Sequence, residues 1–326
     1  MLKTTKLKMR ENIFKALYHL GIPSLLRMSK TDTVTVLNLH RVSEERDYFY
    51  DPIKPETFYK LLEYCCKYYA VTSFENMRQP TTKPKLILSF DDGYYDFVDI
   101  VLPYLIKKGL PSNHNVVNEC VNNNVPIWTH RLNELFNTFK KYNITNDSEV
   151  NTHSKYSGSW QNYYMVFFHY LLTVEKKTRD KILDSLISKY NVKFTTRMMD
   201  WEDLIYCSRN SVEIGSHSYH HDSLGTITNK SDYQTEISHS ISEISEKLNM
   251  PVQVFALPNG QYNNDTIDYI KGSGIKYLLL ADDKVNKNIS HDMQFNLISR
   301  IGLNDTSIFE NILKVELFHT KIKKIR

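Results

Sequence analysis

The stretch Lys85-Leu86-Ile87-Leu88-Ser89-Phe90-Asp91-Asp92-Gly93 constrains this chain more than any other. An apolar run that leads into two adjacent carboxylates and a glycine reads as a buried parallel strand breaking into a turn at its C-terminal end. Both carboxylates are then delivered into the cleft above the sheet. Neighbouring ionised carboxylates repel, so a fold keeps such a pair at low cost only where a cation or a proton neutralises one of them. An isolated Asp-Asp-Gly is also an ordinary solvated turn, so the reading needs support from elsewhere in the chain.

Strand and helix patterns alternate around that stretch. Thr33 to Leu39 is a β-branched and apolar run ending in His40 and Arg41, and a helix follows from Pro55 to Tyr69. Phe97 to Lys108 reads as a helix capped by Gly109. Strands are expected at Val212–Ser216, Val252–Leu257, Tyr277–Leu280 and Leu297–Arg300, and a helix after Asp305. This alternation argues for an α/β architecture, and reactive residues just past the strand ends suit the C-terminal face of a barrel. A doubly wound sheet would use the same edge. The expectation is a distorted (β/α) barrel of about seven strands, split between residues 32–117 and 198–326. Between them, residues 118–197 turn Asn-, Tyr- and Lys-rich with helical patterns, which reads as a helical insertion or lid.

With 41 basic against 37 acidic residues the chain has no excess of charge that would argue for nucleic acid. Its four cysteines form no Cys-x-x-Cys pair, and Cys65 and Cys66 are adjacent, so reduced thiols in a cytoplasmic protein are expected. No apolar run is long enough to span a bilayer. Residues 1–31 read as one or two amphipathic helices with a basic start. Such a stretch packs on a domain surface or makes peripheral contact with the inner face of a membrane.

His217-Ser218-Tyr219-His220-His221 supplies the missing support. Its outer histidines are four apart, the spacing that places two imidazoles on one side of a helical turn. Two histidines and a carboxylate make a three-ligand site with open positions, the arrangement of a hydrolytic zinc.

Ser89-Phe90-Asp91-Asp92-Gly93 and His217–His221 resemble the first two motifs of the polysaccharide deacetylase family, the metal-dependent N-deacetylases of acetamido sugars. Phe255-Ala256-Leu257-Pro258-Asn259-Gly260 resembles its third motif. Val36 to Arg41 is similar to the histidine-bearing strand that precedes the Asp-Asp motif, in permuted order, in the poly-N-acetylglucosamine deacetylase branch. The resemblance implies a divalent metal, zinc, on Asp92, His217 and His221, with Asp91 as the base and His40 as the acid. It further implies an oxyanion contact at Asn259 and Gly260, and an N-acetylated carbohydrate substrate. Ala256 and Asn259 stand where many members carry an arginine and an aromatic residue, so the charge that orients Asp91 must come from elsewhere. Arg300 and Arg41 are the candidates by position. His319, in a segment imitating a C-terminal acid motif, is the weaker rival to His40 because it lies in a helical pattern. The implied activity is removal of an N-acetyl group from an amino sugar of a surface polysaccharide or its lipid- or nucleotide-linked precursor. Two rivals fit the same residues: a glycan-binding protein without turnover, and an amidase acting on a non-sugar acyl amide.

Overall fold

Thr33–Leu39 (β1) is buried along its whole length, as expected of an apolar run in a parallel sheet covered on both faces. The remaining strands are Ala70–Val71 (β2), Lys85–Asp92 (β3), Ser112–Val116 (β4), Val212–Ser216 (β5), Val254–Ala256 (β6), Tyr277–Leu280 (β7), Asn286–Lys287 (β8), Asn296–Ser299 (β9) and Ile301–Gly302 (β10). These elements come from a computed structural model that describes residues 2–30, 32–227, 229–287 and 294–319.

All ten strands belong to one sheet, and eight of them follow a single path, β10-β1-β3-β4-β5-β6-β7-β9. Neighbours on that path are parallel. Only Arg300 separates β9 from β10. One short segment therefore pairs with β7 through Leu297 and with β1 through Ile301. This returns the path on itself as a nearly closed, distorted (β/α) barrel. β4, β8 and β10 are the strands that the sequence pattern does not announce, and β4 and β10 bring the path to eight, above the seven expected.

Alternate positions on the strands point inward. Val34, Val36, Ile87, Val254, Ala256, Leu279 and Ile298 pack with Phe74 and Met77 as an apolar plug in the lower barrel. Above it lies a polar layer of Ser89, Asn113, Asn115, Asp91 and Arg300, all fully buried or nearly so. Gly215 belongs to this layer by necessity. A Cβ there would lie 2.2 Å from Asn115 Oδ1 and 2.9 Å from the Val254 carbonyl, so any side chain would displace the asparagine or the strand. The opposite strand faces carry Leu37, Leu39, Leu86, Leu88 and Phe90 into the larger core shared with the surrounding helices.

Between β4 and β5 the chain leaves the barrel for a run of helices that includes Trp128–Tyr142, Trp160–Thr173 and Lys176–Lys189. They enclose a separate core of Leu132, Phe136, Phe139, Tyr163, Phe167, Leu183 and Leu186. The basic N-terminal helix Leu2–His19 lies on the barrel against helix Ile308–Val315. Arg10 pairs with Glu310 at 2.6 Å, and the rings of Tyr18 and Phe309 lie 5.2 Å apart. No helix among the described residues is long and apolar enough to cross a membrane.

Candidate active site

The C-terminal ends of β1, β3, β5, β6 and β9 meet over the polar layer, around a cavity of about 270 Å³ lined by His40, Asp91, Asp92, His217, His221, Asn259, Gly260 and Arg300. β3 delivers the two carboxylates differently. Asp91 points inward with its strand, whereas Asp92 adopts a left-handed backbone (φ 78°) that turns its side chain toward the histidines. Gly93 continues the turn at φ 90°, and its N–H donates to His114 Nε2 of β4 at 3.2 Å. That bond ties the turn to the next strand.

The two histidines converge without a helix. Ser218 (φ 66°) and His221 (φ 62°) are both left-handed, and the His221 N–H donates to Ser218 Oγ at 2.9 Å. This corrects the helical-turn expectation: a tight loop, fastened by a serine hydroxyl, gives the same convergence. His217 donates through Nδ1 to the Ala256 carbonyl at 2.9 Å, which leaves Nε2 to face the carboxylates. The indole N–H of Trp128 donates to the His221 carbonyl at 3.1 Å, and Arg179 pairs with Asp222 at 2.6 Å while lying over the Trp128 ring. The helical insertion therefore holds the histidine loop in its left-handed form. Trp128→Phe keeps the ring and removes the donor, so metal affinity measured against a chromogenic chelator is expected to fall by about 10-fold. Unchanged affinity would show that the loop holds its shape without the insertion.

The donor set fits a divalent ion. Asp92, His217 and His221 each offer a ligand atom, and these atoms all lie within 4.8 Å of one another. Asp92 Oδ1 is 3.4 Å from His217 Nε2 and 3.5 Å from His221 Nε2. Tetrahedral zinc with bonds of about 2.0–2.1 Å would set its ligand atoms about 3.3 Å apart. Asp92 Oδ1 is also buried with no hydrogen-bond partner among the described residues, a costly state unless a cation meets it. Burial pushes the His221 imidazole down to about 3, so it is neutral, the form that can donate a lone pair.

Asp91 lies outside this triad and has its own partners. Its Oδ1 accepts from Arg300 Nη1 and from Asn115 Nδ2, both at 2.8 Å. Burial alone would raise this carboxyl, but Arg300 and His217 outweigh burial and hold it well below the usual range. Arg41, the other candidate for this task, is turned away. It is bound to Asp96 and Glu45, each at 2.7 Å, because the alternation that carries on past the end of β1 turns His40 to the cavity and Arg41 to the outer side. The Gly260 N–H is committed to the Leu257 carbonyl at 3.2 Å, and the Asn259 side-chain amide donates to Ser223 Oγ at 3.4 Å. His319 contacts the Asp283 carbonyl at 3.3 Å and does not line the cavity. His220 is paired with Glu236 outside it.

A family model described as polysaccharide deacetylase matches residues 78–278, more than half of the sequence. The chain belongs to the polysaccharide deacetylase family. As such it is a carbohydrate N-deacetylase. No curated protein matches this deacetylase in sequence. Its fold is similar to that of the Streptococcus pyogenes deacetylase PplD in complex with acetate, at TM-score 0.57 and 15% identity, covering 87% of this chain and 98% of that one. It is similar also to IcaB from Ammonifex degensii, at TM-score 0.56 and 14% identity, covering 87% and 97%. A de-N-acetylase from Aggregatibacter actinomycetemcomitans gives TM-score 0.53 and 18% identity, covering 86% and 100%.

Several residues that line the deacetylase cavity carry no signal in the sequence: Asn38 on β1, Phe49 and Tyr50 in the following loop, and Tyr164 and Phe168 on the insertion. Aromatic residues are too common in this chain for a pattern to single these out. Asn115, which donates to Asp91, is missed for another reason: Asn113, His114 and Asn115 together read as loop.

Proposed function

We propose that this chain removes the N-acetyl group from an amino sugar of a surface polysaccharide or of its lipid- or nucleotide-linked precursor. The carrying observation is the buried Asp92–His217–His221 triad with a second, separately anchored carboxylate, Asp91, beside it. Asp92, His217 and His221 would hold a divalent ion, zinc by its donor set, which would supply Lewis-acid polarisation of the acetamide and acidification of water. Asp91, fixed by Arg300 and Asn115, takes the proton of the attacking water at Oδ2, the oxygen left free of those two bonds. His40 faces the same cavity from the end of β1 and gives a proton to the departing nitrogen, which an amide requires because its anion is a poor leaving group. The Asn259 amide meets the developing oxyanion. Four cysteines without a disulfide favour a cytoplasmic location.

The test is acetate release from a panel of gluco-, galacto- and manno-configured N-acetylated amino sugars, free and nucleotide- or lipid-linked. Release is expected with at least one of them, lost on chelation and restored by zinc. Release from none, or release indifferent to chelation, would end the proposal.

A further inference from the structure

We infer that the site accepts one terminal acetamido-sugar residue at a time and not a residue in the interior of a chain, an inference that rests on the deacetylase reading above. The first observation is a wall on one half of the cavity. In the sheet β3 lies between β1 and β4, so the loop after β1 and the insertion after β4 could leave a gap above it. They close that gap. Phe49 of the loop stacks on Tyr164 of the insertion at 4.7 Å and sits edge-on to Phe136 at 5.9 Å. Tyr164 in turn stacks on Phe168 at 5.9 Å. Asn137 donates to Asp47 at 3.0 Å and Lys140 lies 4.2 Å from the Tyr48 ring, so the two positions before Phe49 are fastened to the insertion as well.

On the opposite half, after β6 and β7, the lining residues beside Leu257 are the small Asn259, Gly260 and Ala281. We place the mouth there, where the lining side chains are smallest. A sugar within a linear chain has a neighbour on each side and needs two exits from the site, whereas this cavity is walled where the second exit would be. Its volume of about 270 Å³ agrees, being just below the range of about 300–1,000 Å³ usual for ligand pockets. That is room for a single sugar with its acetamide.

The second observation concerns unmatched polarity. Asn38 Oδ1 and Asn133 Oδ1 are buried, line or adjoin this cavity, and have no hydrogen-bond partner among the described residues. Buried acceptors are rarely left so. The hydroxyl groups of one pyranose ring are the donors that suit them, with the ring face against the Phe49–Tyr164–Phe168 row. Any carrier then leaves over Asn259 and Ala281.

The zinc-loaded protein is given β-linked acetamido-sugar oligomers of one to six residues, in the configuration that releases acetate, and products are sequenced by fragmentation mass spectrometry. One acetyl group is expected to be lost per molecule, at a chain end, with a rate constant that changes less than threefold with length. Losses at interior residues, or a rate climbing steeply with length, would overturn the inference and leave the deacetylase reading standing. No acetate from any sugar would remove both. Phe49→Ala is expected to let interior residues react, a gain that damage to the fold cannot imitate. Asn133→Ala is expected to raise KM about tenfold with little change in kcat. If the Phe49 variant still reacts only at chain ends, the wall is not what excludes the chain, and the inference falls.

Discussion

Asp91→Asn is expected to lower kcat for acetate release by about 10²- to 10⁴-fold, the range of general-base contributions, while metal content and affinity stay as in the unaltered protein. The substitution is nearly isosteric, and Asn can still accept from Arg300 and Asn115 through its carbonyl, so the geometry around it persists. What it cannot do is take a proton. The neighbouring Asp92→Ala should behave differently, losing turnover and metal together, because Asp92 offers the ligand atom shared between His217 and His221. Metal analysis beside kinetics separates the two carboxylates. An Asp91→Asn protein that retains a tenth or more of its turnover would remove Asp91 as the base, and one that loses its metal would place Asp91 among the ligands.

The second large effect is expected at Arg300. Its guanidinium, 1% exposed, holds Asp91 at 2.8 Å and also donates to the Leu280 carbonyl and Ser89 Oγ, each at 3.3 Å. Arg300→Met keeps much of the volume but leaves a buried carboxylate without its counter-charge. Removing one partner of a buried ion pair costs about 3–5 kcal/mol, which urea denaturation would register as a lower midpoint. The double variant Asp91→Asn/Arg300→Met should be less destabilised than the sum of the single variants by about 0.5–3 kcal/mol, since the uncompensated charge is then absent. Strict additivity would mean that Arg300 stabilises the barrel by packing and not through Asp91.

The two carboxylates and the outer histidines are legible in the sequence because each sits beside a local signal, an apolar strand run or a fixed spacing. β4 is not legible in that way. Asn113, His114 and Asn115 occupy three of its five positions and read as loop, yet all three are buried, two of them in the polar layer that meets Asp91. Hydropathy fails where a barrel interior turns polar at the height of its chemistry. The choice between Arg300 and Arg41 is also beyond local pattern. Both follow a strand, and which of them reaches Asp91 depends on how the last strands close against the first, a pairing between residues remote in sequence. The spacing of His217 and His221 announces that the rings can meet but not by what backbone, since a helical turn and a serine-fastened loop both bring them together.

The position of Arg300 between β9 and β10 has a consequence for synthesis on the ribosome. The chain emerges N-terminus first, so the Asp91 strand, both histidines and the whole insertion are made before the residues that complete the barrel. Until that final segment arrives, β7 presents an unpaired edge, β1 is met there only by β8 at Thr33 and Val34, and the inward carboxylate has no guanidinium to meet it. Charge balance at Asp91 is thus deferred to the moment of ring closure, and an unfinished polypeptide carries Asp92, His217 and His221 while its Asp91 still lacks a counter-ion.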